Sequence, residues 1–100
     1  MAEKWAGLIF HGIGVPKRDL EPGEAVYWIP VAFFEDILDA VQALPMPFHV
    51  HLSFDDGNQS DHDIALPGLL ARGLKADFFV LTGRLGQPDS LDASRIRALQ

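Results

Sequence analysis

The stretch "HVHLSFDDGNQSDHD", residues 49–63, decides how the rest of the sequence is interpreted. Apolar and polar residues alternate from Phe48 to Phe54, which is typical of a β-strand with two different faces. Two acids, Asp55 and Asp56, follow at the end of this strand. Like charges at such a position repel each other, and partial burial adds to the cost of ionising both. The pair is therefore either a solvated turn or the start of a catalytic centre, and the surrounding sequence has to distinguish the two.

The segments before this strand predict one strand and one helix. Residues 5–10 form a short apolar run that is typical of a buried strand, and a long loop rich in Gly and Pro follows it. A helix is predicted over about 31–44, where Pro45 and Pro47 end it. Its apolar residues recur at helical spacing and form a single stripe: Phe34, Ile37, Leu38, Val41 and Leu44.

The segments after the acid pair continue the alternation. Ser60 and the aspartate three residues later have the spacing of a capping box, which predicts that a second helix begins at Ser60. Gly73 predicts the end of that helix. A buried strand is predicted over 74–83, and a third helix follows with Asp89 or Ser90 as its N-cap. This order of elements indicates an α/β fold with parallel strands.

The polar side of the strand at 48–54 favours a barrel over a plain parallel sheet. Strands of parallel sheets are usually apolar on both faces, whereas His49, His51 and Ser53 share one side here. A polar inner face that leads to a site at the carboxyl end of the strand is typical of a (β/α) barrel. We therefore expect the acid pair at the mouth of such a structure.

Composition limits the classes of function. The 100 residues are enough for one small domain, and 48% of them are hydrophobic, so we expect a packed core. The net charge of −6 argues against a nucleic-acid partner and against docking on anionic lipid. The absence of cysteine excludes a disulfide framework and a thiol nucleophile. No apolar run is long enough for a membrane span or a secretory signal, and a cytoplasmic location is expected.

The series strand, Ser-Phe-Asp-Asp-Gly, helix, strand resembles the first conserved block of the polysaccharide deacetylase family (carbohydrate esterase family four). That family has a Thr/Ser-Phe-Asp-Asp-Gly motif at the end of a strand, then a helix that often contains Pro, then a strand similar to Lys-Ala-Thr-Phe-Phe-Val. The matching segments are Ser53–Gly57, "IALPGLLARGLKA" and Ala76–Val80. "LIFHGIG" and "VAFFEDILDAV" are similar to the segments that precede this block, so the resemblance runs from about residue 8 onwards.

The resemblance implies a fold, a reaction and a set of roles. It implies the N-terminal portion of a distorted (β/α) barrel of the polysaccharide deacetylase type, and metal-dependent removal of N-acetyl groups from a carbohydrate polymer by the intact protein. Asp55 would be the general base, and Asp56 would be a ligand of a divalent metal, with zinc expected. Gly57 would let the backbone turn sharply beside the ion. His11 and His62 are further candidates for lining the site, and His62 is more typical of a solvated helix start.

The sequence departs from the family pattern in its histidines. A catalytic zinc site has about three protein ligands, and the family supplies two of them from a His-Ser/Thr-x-x-His motif after the next helix. No pair among the four histidines has that spacing. Residues 1–100 are thus interpreted as a partial domain that is truncated before the histidine motif. His49 and His51 lie too far down their strand to reach an ion on Asp56.

Two alternative functions stay open. The protein could hydrolyse small cyclic amides on the same fold, or it could be a catalytically inactive half-barrel with a structural role.

Uncovered strand edges and an apolar face predict self-association of the isolated chain. Trp5, Tyr27 and Trp28 could offer a stacking surface to a sugar ring, although packing within the core or the loop is the favoured use. Asp77 stands inside an apolar strand and should either have a partner or face solvent.

Overall fold

The computed structural model describes residues 2–80, 83, 85–87 and 89–100. Within these ranges the chain forms five strands and three α-helices, and it has a 3₁₀ turn at Glu24–Tyr27 and a π-helical turn at Asp61–Ala65. The elements in chain order are β1 (Lys4–Phe10), β2 (Gly12–Ile13), β3 (Trp28–Ile29), α1 (Val31–Gln42), β4 (Phe48–Phe54), α2 (Leu66–Arg72), β5 (Asp77–Phe78) and α3 (Ala93–Leu99).

The main sheet consists of three parallel strands in the order β1-β4-β5. β1 and β4 pair over their whole length, from Lys4 beside Phe48 to Phe10 beside Phe54. β2 and β3 form a separate parallel pair. Because parallel strands end at the same edge of a sheet, the residues that follow β1, β4 and β5 lie close together. The predicted α/β fold with a parallel sheet is confirmed, and the described residues form an open sheet.

The hydrophobic core lies between one face of this sheet and helices α1 and α2. The rings of Phe10 and Phe54 stack with centroids 5.0 Å apart, and Phe34 of α1 meets both rings edge-on. Burying one such side chain stabilises the fold by roughly 1.5–3 kcal/mol. Of the predicted helix stripe, Phe34 and Leu38 are buried, whereas Ile37 and Val41 are only partly buried. The buried residues of this cluster are Phe10, Ile13, Phe34, Leu38, Leu52, Phe54, Ala65 and Leu69.

The opposite face of the sheet carries the polar residues of β4. Trp5, of which 64% is exposed, stacks on His49 with ring centroids 4.6 Å apart. His51 Nε2 lies 2.7 Å from Asp77 Oδ2, and both side chains are exposed. Asp77 thus has a partner and faces solvent, as expected. Self-association through this face or the strand edges stays a prediction.

Helix α1 ends two residues earlier than predicted. Its last residue is Gln42, and Leu44 is 40% exposed instead of extending the buried stripe. The physical reason is Pro45, whose ring disfavours helical backbone at the preceding residue. At 12 residues α1 is the longest α-helix of the described chain, and none of the described helices is long and apolar enough to cross a bilayer.

The second helix does not begin with the predicted capping box. Ser60 has helical backbone angles and makes no capping hydrogen bond, because its hydroxyl accepts from the backbone N–H of Ile13 at 3.3 Å. A π-helical turn follows and leads into α2. The end of α2 is as predicted, since Gly73 adopts the left-handed conformation (φ 66°) that glycine tolerates.

Two predictions for the last third of the chain are wrong in detail. β5 comprises only Asp77–Phe78, and the predicted strand also includes residues 81 and 82, which lie outside the described residues. The N-cap of α3 is Asp92, whose carboxylate accepts from the backbone N–H of Arg95 at 2.9 Å. Asp89 does not cap α3, since its carboxylate accepts from the backbone N–H of Lys17 at 2.7 Å.

A Gly12→Ala substitution tests how closely the loop after β1 packs. A Cβ atom at Gly12 would overlap the Trp28 indole ring, whereas one at Gly7 would meet nothing within 4 Å. Gly12→Ala should lower the free energy of unfolding by roughly 1–3 kcal/mol, because the ring has to shift. Gly7→Ala is the matched control and should change it by less than about 1 kcal/mol. Urea unfolding measures both, and equal effects would contradict this packing.

Candidate active site

The acid pair lies at the carboxyl end of the central strand. The backbone N–H of Asp55 donates to the carbonyl of Phe10 at 2.8 Å, which extends the pairing of β1 with β4 by one residue. Asp56 and Gly57 both have positive φ angles, of 79° and 63°. Aspartate is one of the few residues that enter this left-handed region at modest cost, and glycine enters it freely. Two successive residues of this kind turn the chain sharply, as predicted for Gly57.

His11 contacts the second acid of the pair. Its Nδ1 atom lies 3.0 Å from Asp56 Oδ2, and both side chains are about one quarter exposed. The last residues of β1 and β4 are paired with each other, and His11 directly follows β1. His11 therefore lies next to Asp56. The buried Asn58 fixes the same segment, because its side-chain amide donates to the His11 carbonyl at 2.8 Å. His11 therefore lies at this edge of the sheet, in contact with Asp56.

Two neighbouring cavities open beside the acid pair, and Asp56 lines both. One, of about 460 Å³, is lined by Ile9, Ser53, Asp55, Asp56, Phe79 and Val80. The other, of about 530 Å³, is lined by His11, Glu21, Pro22, Gly23, Glu24, Tyr27 and Asp56. The acids therefore line two open concave surfaces, and concave surfaces are where ligands bind most often.

His62 points away from this centre. Its Nδ1 atom lies 2.8 Å from Asp63 Oδ1, and Asp63 also accepts from the guanidinium of Arg95 in α3. Burial acts to raise the pKa of Asp63, but the hydrogen bonds with His62 and Arg95 outweigh it and lower that pKa overall. His62 lines neither cavity beside the acid pair.

Asp61 is a feature of the site that the sequence analysis missed. Its side chain is fully buried, and neither carboxyl oxygen has a hydrogen-bond partner among the described residues. Burial raises the pKa of Asp61 to about 8, and the negative charges of Asp56 and Asp55 add to the effect. At neutral pH this carboxyl therefore holds its proton. A polar residue among the first residues of an apolar helix was the only signal in the sequence.

A second missed feature is the polar network that holds the loop between β2 and β3. The Arg18 guanidinium donates to both carboxylate oxygens of Glu24 and, at 2.8 Å, to the side chain of Asn58. The hydrogen bond from Arg18 lowers the pKa of Glu24 to about 2, against the opposing effect of burial. The indole N–H of Trp28 also donates to Glu24, at 3.3 Å. These bonds fix the loop that forms one wall of the larger cavity.

The donors available to a metal ion are incomplete. Within the described residues, no three His, Asp or Glu side chains lie close enough together to hold an ion. Asp56 and His11 offer two donors at most, which is fewer than the roughly three protein ligands of a catalytic zinc site. A zinc site at Asp56 would therefore need donors beyond the described residues.

Comparison with known proteins shows likeness in structure but not in sequence. No sequence-family model matches the chain, and no curated protein matches it in sequence. Three solved structures have the same fold over nearly all of the chain. They are the Streptococcus pyogenes deacetylase PplD in complex with acetate (22% identity, TM-score 0.67), IcaB from Ammonifex degensii (21%, 0.77) and a de-N-acetylase from Aggregatibacter actinomycetemcomitans (16%, 0.72).

The matched regions make up nearly all of this chain but only about half of each solved structure. They cover 96%, 98% and 95% of this chain but only 51%, 48% and 50% of PplD, IcaB and the de-N-acetylase. The chain thus spans about half the length of these solved structures. The structural resemblance to deacetylases that the motif around Asp55 implied is confirmed at the level of the fold.

An Asp61→Asn substitution should change how stability depends on pH. The folded state keeps the proton of Asp61 up to about pH 8, whereas the unfolded chain loses it near the ordinary value of 3.8. Between these values the folded state binds the extra proton, so stability falls as pH rises. Relative to the wild type, Asp61→Asn should gain roughly 3 kcal/mol in free energy of unfolding between pH 5 and pH 8.

Urea unfolding at a series of pH values measures this difference. Asp36→Asn, which removes an exposed acid from α1, is the control and should leave the pH profile of the wild type unchanged. If the profiles of the Asp61→Asn protein and the wild type run parallel from pH 5 to pH 8, Asp61 does not carry a trapped proton.

Proposed function

We propose that the protein that carries this chain hydrolyses the N-acetyl amide of a carbohydrate and releases acetate. The observation that carries the proposal is the placement of Asp55 and Asp56 in cavities at the carboxyl end of β4, with His11 bonded to Asp56. The fold supports it, since PplD is a deacetylase and the Aggregatibacter protein is a de-N-acetylase.

Asp55 is the general base in this proposal. It lies in the smaller cavity with Ser53 and Ile9 on the polar face of the sheet, where a water molecule and an acetamide group have room. Its carboxylate takes a proton from the water as the water oxygen attacks the carbonyl carbon. The amide C–N bond then breaks as the protonated Asp55 returns its proton to the nitrogen, so the nitrogen leaves as an amine and the acyl group leaves as acetate.

His11 and Asn58 position Asp56 for this reaction. The imidazole of His11 restricts the Asp56 carboxylate to one orientation, and the Asn58 amide holds the backbone of His11. Asp61 lies buried near both acids, and because it keeps its proton it adds no third negative charge at neutral pH. Two carboxylates in adjacent positions are therefore easier to ionise than three would be.

We also propose that the Asp56 carboxylate is a ligand of a divalent metal ion, as the family resemblance implies. Zinc is the expected ion. A bound metal would polarise the amide carbonyl and lower the pKa of a coordinated water. The left-handed turn at Asp56 and Gly57 points this carboxylate towards both cavities. A complete site would need at least one donor more than Asp56 and His11.

An Asp55→Asn substitution tests the general base. It keeps the shape of the side chain but removes its ability to accept a proton. Release of acetate from an N-acetylglucosamine oligomer should fall by at least about 100-fold, while the thermal unfolding midpoint stays within a few degrees. Asp36→Asn is the control and should retain full activity. Acetate release that survives in the Asp55→Asn protein would reject this role.

An Asp56→Ala substitution tests the metal assignment. Zinc affinity, measured by titration calorimetry on the protein stripped with a chelator, should fall by at least about 100-fold. His62→Ala is the matched control, since His62 pairs with Asp63, and it should leave the affinity unchanged. The assignment is wrong if the Asp56→Ala protein retains its zinc, or if only His62→Ala loses it.

A further inference from the structure

The smaller cavity, the one that contains Asp55, has more room than an acetyl group needs. Its volume is about 460 Å³. Its lining consists of Ile9, Ser53, Asp55, Asp56, Phe79 and Val80. The proposed hydrolysis places the carbonyl carbon of the substrate next to Asp55, and an acetyl group adds only one methyl beyond that carbon. Most of the apolar lining therefore has no assigned ligand.

Apolar side chains form two walls of this cavity. Ile9 of β1 lies beside Ser53 of β4, and Phe79 follows β5 on the other side of β4. Ile9 is 62% exposed and Phe79 is 57% exposed. Large apolar side chains that are exposed together in a concave surface often mark the binding place of an apolar group. The cavity thus has the acids at one end and an apolar wall on each side of Ser53.

Gly7 leaves the same face of the sheet open beyond Ile9. Residues two positions apart on a strand point to the same side, so Gly7 and Ile9 share this face. Gly7 is paired with His51, which lies about 13 Å down the strand from Asp55 at 3.3 Å per residue. A Cβ atom at Gly7 would meet nothing within 4 Å. A chain that enters beside Asp55 and passes Ile9 therefore meets no side chain from position 7.

The apolar part of this face has a limited length. Level with Gly7 lies His51, whose Nε2 atom is 2.7 Å from Asp77 Oδ2, and both of these side chains are exposed. An apolar chain that covered this pair would remove water from both polar groups, which costs free energy. The face therefore suits an acyl chain of medium length, which ends near Gly7, better than a long lipid chain.

The charges at the acidic end decide which medium-chain molecule fits. Asp55 and Asp56 line this end, and the described lining contains neither lysine nor arginine. A free fatty acid would bring a third carboxylate next to this pair and would be repelled. An N-acyl amide is neutral, and its N–H is a hydrogen-bond donor to a carboxylate. The lining therefore favours the amide over the fatty acid that its hydrolysis releases.

We propose that this cavity is an acyl-chain site, and that the protein removes butanoyl to octanoyl groups from amino sugars in preference to acetyl groups. The inference rests on the proposed deacetylation, because it uses the same base and the same amide bond. The water oxygen bonds to the acyl carbon, the C–N bond breaks, and Asp55 carries a proton from the water to the nitrogen. The medium-chain acid that is released loses its remaining proton to solvent.

Hydrolysis of glucosamine oligomers that carry N-acetyl, N-butanoyl or N-hexanoyl groups tests this preference. Each methylene that the cavity covers should raise kcat/KM by about two- to fourfold. The gain should appear as a lower KM with kcat unchanged, because contacts remote from the reacting bond stabilise the ground state and the transition state equally. A kcat/KM that stays level or falls from acetyl to hexanoyl overturns the proposal.

Phe79→Ala tests one wall of the acyl-chain site. It should lower kcat/KM for the hexanoyl oligomer by at least about tenfold, because the chain loses the ring that covers it. Phe33→Ala is the matched control, since Phe33 lies in α1 and is 54% exposed, almost as much as Phe79. It should leave kcat/KM for both oligomers unchanged. Equal effects of the two substitutions on the hexanoyl oligomer would contradict the assignment of the wall.

Gly7→Leu tests the path of the chain beyond Ile9. The new side chain has room in the folded protein and should lower kcat/KM for the hexanoyl oligomer by at least about tenfold. The acetyl group does not reach this level of the sheet, so acetate release should stay within about twofold of the wild type. If Gly7→Leu lowers hydrolysis of both oligomers by the same factor, the chain does not pass position 7 and the proposal is wrong.

Binding measurements separate this proposal from the proposed hydrolysis. In titration calorimetry the Asp55→Asn protein should bind the hexanoyl oligomer at least about tenfold more tightly than the acetyl oligomer. Adding Phe79→Ala should remove most of that difference. If the wild type hydrolyses neither oligomer but the difference in affinity is present, the hydrolysis is rejected and the acyl-chain site is supported. Equal affinities for the two oligomers reject the acyl-chain site.

Discussion

The parallel register between β1 and β4 is the constraint on which the rest of the structure depends. It runs without interruption from Lys4 beside Phe48 to Phe10 beside Phe54, and the bond from the Asp55 amide continues it. Because β1 and β4 end at paired residues, His11 lies next to Asp56. A slip of one residue would turn Asp55 to the core side and bring Phe54 to the polar face. The stacked rings of Phe10 and Phe54 oppose that slip, because only this register buries both.

The electrostatics of the site follow from this arrangement. Asp55, Asp56 and Asp61 lie near one another, in a chain with a net charge of −6. Burial and the charges of Asp56 and Asp55 raise the pKa of Asp61, the most buried of the three. Asp61 therefore keeps its proton instead of ionising. The acid pair keeps a partly exposed position, and His11 contacts Asp56 there. Burial, together with the neighbouring charges of Asp56 and Asp55, thus keeps Asp61 neutral behind the acid pair.

The sequence predicted the features that depend on local pattern. The alternation in "FHVHLSF" identified the two faces of β4, and the helical stripe identified Phe34 and Leu38 as core residues. The expected place of the acid pair, at the carboxyl end of β4, agrees with the structure, and two open cavities lie beside it. Each of these signals is carried by neighbouring residues, whose periodicity fixes which side of an element they occupy.

The features that sequence analysis missed depend on contacts between distant segments. Ser60 has a perfect spacing for a capping box, yet its hydroxyl bonds to Ile13 because β2 lies against it. The bond from Arg18 to Asn58 joins residues 40 positions apart, and no local pattern indicates it. Asp61 is buried in the π-helical turn that follows the acid pair, and no local pattern indicates that burial. Tertiary contacts of this kind override local propensity, and a single sequence does not reveal them.

The most direct test of this account is a crystal structure of the Asp55→Asn protein with an N-acetylglucosamine oligomer bound. The account predicts an acetamide group in the cavity lined by Ile9, Ser53 and Phe79, with its carbonyl carbon next to the side chain at position 55. Asp56 should remain in contact with His11. An oligomer bound at another surface, or an acid pair that points into bulk solvent with no sugar beside it, would contradict the claim that this strand end is a reaction site.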